Sequence, residues 1–156
     1  MRTLIWLALC AAGLVARPAP AANEVGQKLF ADHCVVCHQE DARGAAGVAP
    51  PLADTLSTYL AGADGKRYLA QILVSGMIGP IDTQGHQFSG LMPSFRAELS
   101  DSEMAAVINY VLGTFNGVRD ADAARPIAPQ DVTAAGAANP APTATRALRQ
   151  SVKSHP

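Results

Sequence analysis

The 156-residue chain predicts an all-α domain of roughly three to five short helices, joined by long loops and followed by a disordered C-terminal tail. Three observations lead there. Ser100-Asp101-Ser102-Glu103 is a capping box, and behind it Met104, Val107, Ile108, Val111, Leu112 and Phe115 fall on one helical face. Val25, Leu29 and Phe30 form a second apolar stripe, with Asn23 placed to cap it and Glu24 in its first turn. Between them, glycine- and proline-marked stretches such as Gly76 to Gly90 are too long for a small domain unless they wrap something other than secondary structure.

What they wrap is indicated by Cys34-Val35-Val36-Cys37-His38. Two cysteines two residues apart, with histidine directly after, are the attachment signature of c-type haem. Each thiol adds across a haem vinyl group, and His38 is drawn beneath the iron as its proximal ligand. A zinc site needs four ligands, and the only other cysteine is Cys10. A redox dithiol wants a strand before it, whereas the residues before Cys34 read as helix.

Length allows one domain, with both ends outside it. Met1-Arg2, the apolar run Leu4 to Val15 and the small-residue stretch Arg17 to Ala22 read as a secretory leader, cleaved after Ala21 or Ala22. The run is about 12 residues, too short for a permanent span. The expected division is a leader at 1–22, a folded domain at 23–118 and an Ala/Pro-rich tail at 119–156, mostly disordered. Export agrees with haem attachment, which in bacteria takes place outside the cytoplasm. With the leader gone only Cys34 and Cys37 remain, so no structural disulfide is available. A core of roughly 95 residues is marginal, and without haem it should fold poorly. Residues 23–118 hold five Lys/Arg against ten Asp/Glu, and residues 119–156 hold five against three. An acidic globule argues against nucleic acid and for docking to another protein.

Along the chain, Gly26 inside the first helix marks a close helix crossing, with Tyr110 placed to meet it. Gln39 to Ala49 and then Pro50-Pro51-Leu52 form a loop. A ligating histidine needs its other ring nitrogen fixed by an acceptor, and a carbonyl of the Pro50-Pro51 turn is the candidate, Pro50 preferred. Asp54 to Ala61 and Lys66 to Ser75 suggest two short helices, the second ended by Gly76. Leu91-Met92-Pro93 is the expected place of the sixth iron ligand, since a soft, neutral thioether favours ferrous iron. Met77 and His86 compete with Met92 for that role. Met104 sits at core spacing, and His33 is too close to Cys34 to reach the other haem face. In the tail, Ile127 to Val132 and Arg146 to Arg149 are short pieces able to lie on the globule or on a partner.

These residues resemble class I cytochrome c from Asn23 to about Asn116. The resemblance rests on Cys34-x-x-Cys37-His38, Pro50-Pro51-Leu52, Met92-Pro93 and the crossing of the terminal helices, where Gly26 and Phe30 match one side and Val107 and Tyr110 the other. Gly79-Pro-Ile81, Gly85 and Gly90-Leu-Met92-Pro93 match a further pattern of small bacterial members. The resemblance implies His38 and Met92 as axial ligands, Cys34 and Cys37 as covalent anchors, and a carrier of single electrons rather than an enzyme. It implies redox protein partners, such as a periplasmic dehydrogenase or a terminal oxidase, with membrane contact only through a partner or an uncleaved leader. The alternatives are a cytochrome subunit held in such a complex by its tail, or a haem enzyme or gas sensor with an open sixth position. Many members bond a haem propionate through tryptophan, but Trp6 lies in the leader. That leaves Tyr59, Tyr68, Arg67 or Gln84 for the role.

Overall fold

A computed structural model of the chain describes residues 22–118 and 127–154. The two apolar stripes become α1 (Ala22–His33) and the long helix α4 (Asp101–Asn116). Between them lie the single turn α2 (Val35–His38), a 3-10 turn at Ser57–Ala61, α3 (Ala63–Ser75) and the strands β1 (Met77–Thr83) and β2 (His86–Met92). The capping box starts α4: the Ser100 hydroxyl accepts from the Glu103 amide at 3.3 Å, and the Glu103 carboxylate accepts from the Ser100 amide at 2.8 Å.

α1 and α4 pack against each other, and Gly26 stands where they cross. A Cβ at Gly26 would run into the Ala106 carbonyl oxygen and the Cβ of Tyr110, so only a hydrogen lets the two backbones come this close. Phe30 completes the crossing, its ring centroid 5.7 Å from that of Tyr110 and 5.3 Å from that of Phe115. Val107 is buried as well, but it turns toward a cavity beside the crossing. The expected helical class therefore holds, with α1 delivering the cysteine motif to that cavity.

Two stretches differ from expectation. The Gly76–Gly90 stretch is an antiparallel hairpin, with Met77 opposite Met92 and Thr83 opposite His86. Its two turn residues, Gln84 and Gly85, both have positive φ (50° and 77°), the conformation of a tight two-residue hairpin turn. Glycine and Pro80 make the sequence look irregular. A two-stranded ribbon tolerates proline because each strand has a free edge. Met77, Ile81, Thr83 and Phe88 form its buried side.

The second difference is the tail, which contains two helices, α5 (Pro129–Gly136) and α6 (Pro142–Ser154). Neither forms a core of its own. Both add to the existing one: α5 packs on α3 and α4, and α6 on α3 and β1. Ile127, Val132, Ala135 and Leu148 are buried there. Asn109 fixes the point of return, donating to the Ile127 carbonyl and accepting from its amide, both at 2.8 Å. Arg96 donates to the Gly136 carbonyl at 2.9 Å, and Gln71 to the Thr145 hydroxyl at 3.1 Å. A composition too poor in apolar residues for independent folding is sufficient for docking onto a ready surface. Residues 1–21, where the leader is expected, and residues 119–126 lie outside the described part. Among the described residues no helix is long and apolar enough to cross a membrane.

Gly26→Ala gains about 1 kcal/mol of helix propensity but forces overlap with α4. The expected net loss is about 2 kcal/mol, read as a lower denaturant midpoint at unchanged slope.

Candidate functional site

The helical path continues through the cysteine motif: the Cys34 amide donates to the Phe30 carbonyl and the His38 amide to the Cys34 carbonyl, both at 2.9 Å. Cys34, Cys37 and His38 are thereby at i, i+3 and i+4, one face of one turn. All three line a single cavity of about 390 Å³. Cys34 is half-buried and Cys37 exposed, and neither forms a disulfide. Burial, with a smaller contribution from Cys37, pushes the Cys34 thiol up to about 11.

His38 is buried, and its Nδ1 lies 2.9 Å from the Pro50 carbonyl oxygen. A carbonyl only accepts, so Nδ1 carries the proton and Nε2 keeps its lone pair for a ligand. Burial lowers the His38 pKa and the Pro50 bond opposes it; burial prevails, and the neutral, ligating form is favoured. The Pro50 carbonyl is held in place by its loop, through the Gly44 amide donating to the His38 carbonyl at 2.8 Å and the bridge between Ala45 and Ala49.

Met92 closes β2 and lines the same cavity. The chain at this point is tied to the end of α3. Gly76 has φ +69°, and a Cβ on it would meet the Met92 carbonyl oxygen. The Ser94 hydroxyl donates to the Val74 carbonyl at 2.6 Å, and the Phe95 amide to the Leu73 carbonyl at 2.8 Å. Met77, the register partner of Met92, also lines the cavity. His86 is exposed beside the hairpin turn, and Met104 is buried within α4; neither lines the cavity. His33 reaches the rim, where its Nδ1 is 3.6 Å from the Glu98 carboxylate.

Most of the wall is apolar, including Leu52, Leu56, Leu69, Leu73, Ile81 and Phe88. Facing water, the apolar walls of this open cavity of about 390 Å³ would forgo burial that a small domain can ill spare. A large apolar group suits this cradle, and thiols, imidazole and thioether are the donors a haem iron and its vinyl groups take. Zinc does not fit: among the described residues no three His, Cys, Asp or Glu side chains come together as a metal site.

The polar part of the wall includes Tyr59, Tyr68, Thr83 and Arg149. Of the residues expected to meet propionates, Tyr59 and Tyr68 are there. Arg67 instead pairs with Asp64 at 3.2 Å on the surface, and Gln84 is exposed in the hairpin turn. Arg149 is missed from sequence because a tail taken as disordered supplies no site residues. Its signal is the spacing of Thr145, Leu148, Arg149 and Val152, one face of a helix.

The sequence profile of the cytochrome c family matches residues 24–115. The chain is 35% identical over 107 residues to cytochrome c-552 of Thermus thermophilus, covering 69% of this chain and 80% of that one. It is 33% identical over 116 residues to cytochrome c6 of a Picosynechococcus strain, covering 71% and 92%. It is also 33% identical over 89 residues to the cytochrome c subunit of a quinone alcohol dehydrogenase of Gluconobacter oxydans, covering 57% of this chain and 18% of that one.

Alanine at Gly76, whose φ and ψ are 69° and −171°, enters a region essentially closed to side chains and also strikes the Met92 backbone. Gly76→Ala should cost about 3 kcal/mol, measured by thermal or denaturant unfolding.

Proposed function

The chain belongs to the cytochrome c family, as a class I member carrying covalently attached haem c, and from that premise we propose that it is a mono-haem carrier of single electrons between periplasmic redox proteins, its iron held by His38 and Met92. Bound haem supplies a one-electron Fe(III)/Fe(II) couple. The chain's residues do the rest. Cys34 and Cys37 are the thioether anchors, which keep the cofactor through repeated encounters with partners. Pro50 orients His38 through its carbonyl and raises the basicity of the ring. Met92 supplies a neutral, soft ligand that favours the reduced state, and the apolar walls keep water from the metal.

The observation that carries this proposal is the His38–Pro50 bond at 2.9 Å. It directs the free imidazole nitrogen away from the loop in a cavity that Met92 also lines. Membership of the family fits a carrier with no substrate chemistry of its own. The leader at 1–22 would place the protein in the periplasm and be removed there.

The rim of the cavity supports docking to a protein partner. Val36, Val48 and Leu91 line the cavity and are 82%, 65% and 66% exposed, an apolar cluster next to the cysteine anchors. Residues 23–118 hold ten Asp/Glu against five Lys/Arg, an excess of negative charge that would steer the domain toward a basic face. Partners of the expected kind are a periplasmic dehydrogenase or a terminal oxidase. A relative that is the cytochrome c subunit of a quinone alcohol dehydrogenase keeps a second proposal in view, a subunit held permanently in such a complex. The C-terminal helices weigh against it, since residues 127–154 dock on their own domain and are not available as a tether.

The two methionines separate by substitution. Met92→Leu should abolish the thioether-sensitive band at the red end of the ferric spectrum and open the reduced iron to carbon monoxide. It should also lower the midpoint potential by more than about 59 mV, one tenfold step for a one-electron couple. Met77→Leu should leave band and potential in place; the reverse pattern would make Met77 the ligand.

A further inference from the structure

α6 lies beyond the segment matched by the family, residues 24–115, yet it sends a charged side chain to the cofactor cavity. Arg149 is 5% exposed and lines that cavity. One of its nitrogens, Nη2, donates to the Asp82 carbonyl at 3.0 Å and to the Thr83 hydroxyl at 2.9 Å. Tyr68 lines the same cavity, its ring tilted 41° against that of Tyr59 with centroids 4.7 Å apart. Every one of these acceptors is neutral. Among the described residues no carboxylate lies within ion-pair distance of Arg149.

The neighbours on the same helix face add to the excess of positive charge. Arg146, one turn earlier, has a buried Nε with no partner. Lys153, one turn later, donates to the Asp82 carbonyl at 3.0 Å. Its pKa is lowered by burial and then by the charge of Arg149, with the Asp82 carboxylate opposing in part. A guanidinium out of water without a directly paired carboxylate is costly. It has five N–H donors in a planar fork suited to a carboxylate, and the acceptors named above do not neutralise it.

Resting on the haem reading above, we infer that Arg149, with Tyr68 and Tyr59 beside it, is the seat of a haem propionate carboxylate. α6 is thus part of the cofactor site, and its docking sets the reduction potential. The missing counter-charge would come from the cofactor. Arg149 is a positioning and potential-setting residue, since a fixed cation near the iron favours the state with one more electron. The rival role is purely structural: a clamp that ties α6 to β1 through Asp82 and Thr83.

Arg149→Gln separates the two, because the amide can still donate to the hairpin while the charge is gone. Midpoint potentials of the purified holoprotein are compared with haem mass, ferric spectrum and melting curve in the same samples. The expected result is a fall of about one tenfold step in the ferric–ferrous equilibrium, ~59 mV, with mass and spectrum unchanged. Arg149→Lys should recover most of that fall. An unchanged or raised potential in Arg149→Gln overturns the inference while leaving the haem reading intact. A wild-type protein without haem mass, or without the thioether-sensitive band, would defeat that earlier reading instead. Should Arg149→Gln not fold, a crystal structure of the wild-type holoprotein decides. A guanidinium nitrogen about 2.7–2.9 Å from a haem carboxylate oxygen supports the assignment, and carboxylates turned away from Arg149 refute it.

Discussion

An imidazole has two ring nitrogens, and a site built on one of them has to dispose of the other. In this chain Nδ1 of His38 is committed to the Pro50 carbonyl, and that bond constrains much of the surrounding structure. It requires α2 to follow α1 without a break, so that His38 shares a face with Cys34 and Cys37. It requires the loop from Gln39 to Ala49 to return to the helix it left, which the bridge between Ala45 and Ala49 accomplishes. The result is a histidine held in one tautomer and one orientation before any ligand arrives. Little rearrangement is then needed when the charge at the site changes by one, and that is the property an electron carrier requires.

The rest of the core is arranged around a volume that side chains do not fill. α4, α3 and the hairpin all turn apolar residues toward it: Val107 and Ile108, Leu69 and Leu73, Ile81 and Phe88. In an ordinary small domain these residues would meet one another. Here they meet across a cavity, and walls left facing water would forgo much of the burial that stabilises a small domain. The cofactor is in this sense the largest hydrophobic residue of the fold, and secondary structure is the frame around it.

What could be read from the residues alone follows from how local each signal is. Cys34, Cys37 and His38 lie within five positions and declare their chemistry by spacing. The capping box at Ser100 and the stripe behind it specify α4 almost residue by residue, and Gly26 announces the crossing because nothing else explains glycine inside a helix. The hairpin was hidden because Pro80 and the four glycines from Gly76 to Gly90 look like irregular chain, and the pairing that orders them is visible only in three dimensions. The tail was hidden for a different reason. Its composition says correctly that it cannot fold by itself, but says nothing about a surface made by residues far away. Val132 finds that surface on α3 and α4, Leu148 on α3 and β1, and Arg149 reaches the cavity as a consequence. A tertiary context supplied by the core, rather than any local preference, decides those helices.

The central claim is that the fold depends on its covalently held cofactor. Its most direct test is the thermal unfolding of the chain with and without attached haem, followed by far-ultraviolet circular dichroism. The haem-bearing protein should show a sharp cooperative transition, and the haem-free chain low helicity with no such transition. A haem-free chain that melts cooperatively at nearly the same temperature would contradict the claim, because the cavity would then have closed on side chains alone.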